Sequence, residues 1–295
     1  MLSLPRARAV GIGLLFALAS FAGPARAAQL RVVAAENVYG DIAAQIGGDG
    51  VSVVSILTNP AQDPHLFEAS ASAARAVADA DLVIYNGANY DPWMPKLLAA
   101  SPNAKRRVIV VSDIGHTAPG GNPHLWYEWT IVLAAADAIA ADMASADSDG
   151  NAGYQARAKA FRDSVQPIAD LAAAMNEKYA GMPVSATEPV FELMARHVGL
   201  DIQDADFQRA IMNGTEPGAR DVATLETELK ERRVRALIYN TQSAGNLVQR
   251  MRSLAEAANV PVVGVSETEP AGMRYQDWML AELNALDAAL SKGTP

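Results

Sequence analysis

Residues 148–182 read SDGNAGYQARAKAFRDSVQPIADLAAAMNEKYAGM. Within them Tyr154, Phe161, Val165, Ile168, Leu171, Met175 and Tyr179 recur at intervals of three, four and seven. That spacing lays one apolar stripe along a helix. A helix of about 29 residues at 1.5 Å rise per residue spans on the order of 43 Å. Pro167 lies inside it and is expected to bend it, and Gly181 and Pro183 end it. A helix of this length flanked by α/β patterns on both sides predicts a strut between two lobes.

Before the strut, β-branched runs alternate with helical stretches. Residues 30–35, 51–57, 81–85 and 107–111 read as strands, and 38–46, 70–78, 93–99 and 127–143 as helices. After it, strands are expected at 183–187, 234–239 and 260–265, and helices at 190–197, 221–232, 245–258 and 275–290. Residues 200–218 carry no clear period. Such alternation predicts an α/β fold of parallel sheets flanked by helices. The boundaries expected are a first lobe at 28–147, the linker helix at 148–182 and a second lobe at 183–295.

Residues 1–27 stand outside this pattern. Arg6 and Arg8 precede an apolar run from Ala9 to Phe21, and Ala25-Arg26-Ala27 is a small-x-small cleavage pattern. These are the marks of a secretory signal peptide, so the mature protein is expected in the periplasm from Ala28. The chain has no cysteine, which leaves no site for a lipid anchor, disulfides or thiolate ligands. No later stretch reads as a membrane helix. The formal charge is −9, and removing Arg6, Arg8 and Arg26 leaves about −12. With no basic stripe, nucleic acid is an unsuitable partner.

The chain has four histidines. Two of them, His65 in Asp63-Pro64-His65 and His124 in Asn122-Pro123-His124, follow a proline in a polar loop. Proline fixes its own φ and restricts the residue before it, so such loops hold an imidazole stiffly. Each loop follows a strand, and in open parallel sheets ligands bind beyond the carboxyl ends of the strands. Glu188 ends the first strand of the second half, and Glu269 follows its last strand. Two imidazoles and two carboxylates meeting between the lobes would make a nitrogen and oxygen site suited to a first-row divalent cation. Each also has an ordinary structural reading: Glu188 beside a helix N-terminus, Glu269 as a solvated acid in competition with Glu267. His197 reads as a structural histidine near a helix end, and His116 as a flanking residue.

Asp63-Pro64-His65, Tyr85-Asn86-Gly87 with Trp93, Asn122-Pro123-His124-Leu125-Trp126, Thr187-Glu188-Pro189-Val190-Phe191 and Val265-Ser-Glu-Thr-Glu269 together resemble the metal-binding solute-binding proteins of zinc and manganese ABC importers, the cluster A-I group. The resemblance covers essentially the whole mature chain. It implies two α/β lobes on a rigid helix and one metal held by His65, His124, Glu188 and a fourth ligand. That ligand is usually aspartate; here Glu269 takes its place, with Glu267 as the substitute. It further implies a non-enzymatic receptor that hands Mn²⁺ or Zn²⁺ to a permease in the inner membrane; the receptor is expected to be a monomer, and the stiff linking helix is expected to limit lobe rotation on binding. Two other classes are open to the residues alone. A secreted metallohydrolase would use the same His/Glu site with an open coordination position, although no His-Glu-x-x-His occurs. A receptor for an organic solute would need an aromatic-lined cleft, in a chain only 6% aromatic.

Overall fold

The computed structural model describes residues 29–60, 67–243 and 245–292. The expected signal peptide and His65 lie outside the described residues. The first half runs β1 (Leu30–Glu36), α1 (Asn37–Gly47), β2 (Val51–Leu57), α2 (Ala71–Asp79), β3 (Leu82–Tyr85), α3 (Trp93–Ala100), β4 (Arg107–Val110), α4 (Val111–Ile114) and α5 (Trp129–Ala146). The second runs β5 (Pro183–Ala186), α7 (Glu192–Val198), β6 (Asp201–Gln203), α8 (Ala205–Met212), α9 (Ala219–Lys230), β7 (Leu237–Asn240), α10 (Asn246–Ala257), β8 (Val262–Val265) and α11 (Tyr275–Lys292). Between them lies α6 (Asn151–Tyr179), 29 residues long, which continues through Pro167.

Each half builds one four-stranded parallel sheet, in the orders β2-β1-β3-β4 and β6-β5-β7-β8. The two orders are the same. In each, the strand sequence reverses at the central pair, β1/β3 or β5/β7, and the crevice at such a switch point is where ligands sit in parallel sheets. The carboxyl ends there carry Glu36 and Asn86 in one half, Glu188 and Asn240 in the other. Two elements inside residues 200–218 were not legible as periodic segments. β6 has three residues, too few to show alternation, and α8 has eight.

The stripe on α6 is the one expected, with Tyr154, Phe161, Val165, Ile168, Met175 and Tyr179 buried. It packs on α1 and α5 of the first half and on α7 and α11. The strut is not the only tie between the lobes. Helix α11 returns to the first half, where the Tyr275 amide donates to Asp41 of α1 at 3.0 Å, and its hydroxyl donates to the Trp126 carbonyl at 2.9 Å. One apolar core therefore runs through both sheets, α6 and α11, while a smaller cluster around Phe207, Leu225 and Met251 sits on the second sheet. Contrary to expectation, one later segment, Trp129–Ala146, does have the length and hydropathy of a membrane span. It is α5, alanine-rich because it packs closely on α6 and α1.

A buried acid fastens the seam. Glu282 of α11 accepts from the Trp278 indole at 2.7 Å, the Ser266 amide at 3.0 Å and the Tyr127 hydroxyl at 2.7 Å. Burial nevertheless pushes its carboxyl up to about 7 from an ordinary value of 4.5. A group whose pKa is raised by folding stabilises the fold below its unfolded pKa and loses that contribution as pH rises through the folded value. E282Q is expected to lessen the fall in stability between about pH 4.5 and 7, by up to about 1.4 kcal/mol per pH unit. Urea unfolding at several pH values tests this; identical slopes in both proteins would contradict it. A second prediction concerns Gly40 in α1, where an added Cβ would lie 2.0 Å from Ser55 Oγ on β2. Alanine gains about 1 kcal/mol in helix propensity, yet overpacking costs about 1–3 kcal/mol. G40A is expected to lower the urea midpoint, and an unchanged or higher midpoint would show that the packing relaxes.

Candidate metal centre

His124 is fully buried, and its surroundings are set by the loops after β3 and β4. After β3 the chain turns through Gly87, Ala88 and Asn89, all at positive φ (74°, 49° and 63°). Such geometry is costly for a non-glycine residue and persists only where its surroundings enforce it. Here Asp91 enforces it, its carboxylate accepting from the Asn86 amide at 2.7 Å and the Gly87 amide at 3.0 Å. At Gly87 a Cβ would also lie 2.2 Å from Ser112 Oγ. The turn brings Tyr90 inward, and Asn86 reaches across to donate to the Pro123 carbonyl at 2.8 Å, just before His124. Beneath this turn, burial lifts Glu36 well above the usual carboxylate range and Asp91 to about 6.

The His124 ring has a defined tautomer. Asn122 Nδ2 lies 2.7 Å from the Pro189 carbonyl and 2.9 Å from a Glu192 carboxylate oxygen, both acceptors. Its Oδ1 therefore faces His124, accepting the backbone N–H at 2.9 Å and meeting ring Nδ1 at 2.8 Å. An amide oxygen only accepts, so Nδ1 carries the proton and Nε2 presents a lone pair. Nε2 is buried and has no hydrogen-bond partner among the described residues. Trp126 stands edge-on to the ring at 5.5 Å and Tyr90 at 6.0 Å, holding its plane.

Facing that nitrogen at 3.4 Å is Oε2 of Glu267, which also accepts from the Tyr90 hydroxyl at 3.0 Å. The other oxygen, Oε1, accepts from Asn240 Nδ2 at 2.6 Å. The same Nδ2 lies 3.2 Å from Glu188 Oε2. Asn240 is fixed in that orientation because its Oδ1 accepts from the Gln242 amide, and Gln242 in turn accepts the amides of Glu267 and Thr268. Glu188 and Glu267 are thus held as neighbours. Burial, then the charge of Glu267, push the Glu188 carboxyl up to about 7, against the opposing pull of Asn240, Ser243 and His124.

Of the four residues expected to converge, His124 and Glu188 meet through Glu267 and Asn240. Glu269 is held differently: its amide donates to Asn37 at 3.1 Å and its carbonyl accepts from Asn37 at 2.7 Å. Burial, then the nearby charge of Asp41, raise its carboxyl to about 9. Among the described residues, no group of three or more His, Cys, Asp or Glu is placed to hold a metal ion. His116 is exposed, at φ 48°. His197 is structural, as expected, though through a partner: its Nε2 meets both Glu128 oxygens at 2.9 and 3.0 Å, and its ring lies 3.7 Å from Trp129. Sequence reasoning missed Tyr90, Asn122 and Asn240 as site residues. The signal for Asn240 was present, since it ends β7 as Asn86 follows β3, the equivalent strand of the other sheet.

Known proteins resemble this chain along most of its length. Residues 32–289 match the family described as zinc-uptake complex component A, periplasmic. The manganese-binding lipoprotein MntA of Bacillus subtilis is 25% identical over 232 residues, covering 75% of this chain and 74% of its own. The manganese transporter substrate-binding lipoprotein PsaA of Streptococcus pneumoniae serotype 4 is 23% identical over 288 residues, 90% of each chain. Among solved structures, the periplasmic zinc-binding protein TroA of Treponema pallidum superposes with a TM-score of 0.76 at 18% identity, covering 89% of this chain and 99% of its own. The substrate-binding protein FpvC of Pseudomonas aeruginosa, solved with Mn²⁺, gives 0.75 at 18% identity, covering 90% and 100%. A two-lobed α/β chain with a buried imidazole at the lobe seam, matched by the family model over nearly all its described length, belongs to the family of periplasmic zinc-uptake component A.

Proposed function

We propose that this protein is a periplasmic receptor that captures one divalent transition metal, Mn²⁺ or Zn²⁺, and delivers it to an ABC permease in the inner membrane. His124, Glu188 and Glu267 are its ligands, joined by His65. Glu267 takes the place expected for Glu269. The observation that carries this reading is the 3.4 Å gap between a bare, buried Nε2 and a carboxylate oxygen. Two acceptors at that distance repel one another. Two donors each about 2.1 Å from one ion at a tetrahedral angle lie about 3.4 Å apart, so a cation between them converts the repulsion into coordination. Two carboxylates with neutral imidazoles match the charge of a divalent ion, and donors of nitrogen and oxygen alone suit Mn²⁺ and Zn²⁺. Cargo of this kind is named for the relatives: manganese for MntA and PsaA, zinc for TroA. The hydrolase alternative has no counterpart among them.

The domain boundaries that accompany this reading are a first lobe to residue 147, the linker helix at 148–182 and a second lobe from 183. The receptor works as a monomer. It catalyses nothing.

H124A, H65A and E267A are expected to weaken binding of Mn²⁺ and Zn²⁺ at least 100-fold, as read by competition with a fluorescent chelator. E269Q is expected to stay within a few-fold of the parent. Loss of binding in E269Q with retention in E267Q would return the fourth position to Glu269. Loss in neither carboxylate variant would refute a site at this seam. Metal at about 1,000 times its Kd contributes about 4 kcal/mol to the folded state, which raises Tm by on the order of 10 °C at this chain length. An unchanged Tm in saturating Mn²⁺ and Zn²⁺ would contradict the proposal.

A further inference from the structure

Asn122 serves two masters on opposite sides of the lobe seam. Its oxygen orients His124 in the first half, and both hydrogens of its amide are spent on the second half, at the Pro189 carbonyl and Glu192. Pro189 directly follows Glu188, so one amide touches the neighbour of one ligand and the ring of another. Glu192 has a second oxygen, which pairs with Arg196 one turn further along α7. Arg196 is largely exposed, its side chain at 65% accessibility, whereas that of Glu192 is at 29% and that of His124 at zero. A cavity of about 300 Å³ between the halves is lined by Gly121, Asn122, Pro189, Glu192, Arg196 and Met212, among others. A continuous chain of charge-assisted and neutral hydrogen bonds therefore runs from solvent to the buried ligand.

We infer that Asn122 is the positioning residue through which the second lobe sets how long a metal stays on His124, and that the chain His124–Asn122–Glu192–Arg196 relays a disturbance at the cavity rim to the ligand. This rests on the metal-receptor reading above. The argument is one of proton count. Asn122 has two N–H bonds, and both are used across the seam. If Glu192 or Pro189 moves away, the amide loses the contacts that fix which end faces His124. Nδ1 then loses its dedicated acceptor, and Nε2 its dedicated lone pair. Partners of this type around a ligating histidine govern metal affinity by about 10–100-fold. An acidic side chain of the permease that draws Arg196 off Glu192 is the kind of contact that would act here, because Arg196 is the exposed cationic end of the chain.

Two measurements test it. In the metal-free protein, long-range ¹H–¹⁵N spectra of the His124 ring, assigned with H124Q, are expected to show the Nδ1–H tautomer in the parent and in N122D, which keeps the oxygen. N122A is expected to show a mixture. An unchanged tautomer in N122A overturns the positioning role whether or not the protein binds metal. Absence of binding in a parent that shows the expected tautomers would instead overturn the receptor reading alone. The second measurement is stopped-flow release of Mn²⁺ or Zn²⁺ to a chelator. N122A is expected to speed release about 10–100-fold. E192A and R196A should speed it by smaller factors, and neither should add to N122A in the double variants. Release from N122A within twofold of the parent, or effects of E192A that multiply in full with those of N122A, would overturn the relay. E192Q, which preserves size and keeps an oxygen for the Asn122 amide, guards against reading a folding defect as release.

Discussion

A bare imidazole nitrogen set 3.4 Å from a carboxylate oxygen, with both groups buried, is the constraint around which the centre is arranged. Neither group improves by staying there alone. Burying a carboxylate costs solvation that hydrogen bonds only partly return, and His124 Nε2, a buried acceptor without a hydrogen-bond partner, forfeits its hydration. The surrounding structure resists relaxation at each point. Asn122 fixes the ring, Tyr90 and Asn240 fix the two oxygens of Glu267, and Gln242 fixes the backbone that carries it. A binding site that must take a small, strongly hydrated ion benefits from donors already in place, because the ordering cost is met during folding.

The sheets explain why these residues come from four separate stretches of chain. Both halves use the same strand order, so both have a switch point, and the two central crevices contribute matching polar strand ends. What joins the halves is stiff. The α6 stripe is shared between them, α11 crosses back to α1, and the loop bearing His124 is hydrogen-bonded to the second half through Tyr127 and Asn122. A hinge has little room in such an arrangement.

Much of this was legible in the sequence, and the reason differs by element. The long helix declares itself because seven apolar residues keep step over 26 positions, from Tyr154 to Tyr179. The parallel sheets declare themselves through β-branched runs such as Val51–Leu57. By contrast β6 and α8 are too short for periodicity to accumulate. At the site, the proline before His124 marks a rigid loop, and Glu188 stands where a strand stops. Which of Glu267 and Glu269 lies against His124 was not legible, because a loop has no fixed period to say which of two acids two residues apart faces a given neighbour. That choice is made by Gln242, whose oxygen holds the amides of Glu267 and Thr268, and by Asn37, which holds Glu269. Asn240 and Tyr90 escape notice for a related reason: their role lies in what they orient, and only the folded chain brings them to it.

The most direct test of the central claim is anomalous diffraction from crystals grown with Mn²⁺ or Zn²⁺, recorded on both sides of the metal's absorption edge. The account predicts a single anomalous peak about 2.0–2.2 Å from His124 Nε2 and in the carboxylate shell of Glu188 and Glu267. A peak bound elsewhere, or one at this seam that leaves His124 Nε2 outside bonding distance, would contradict it.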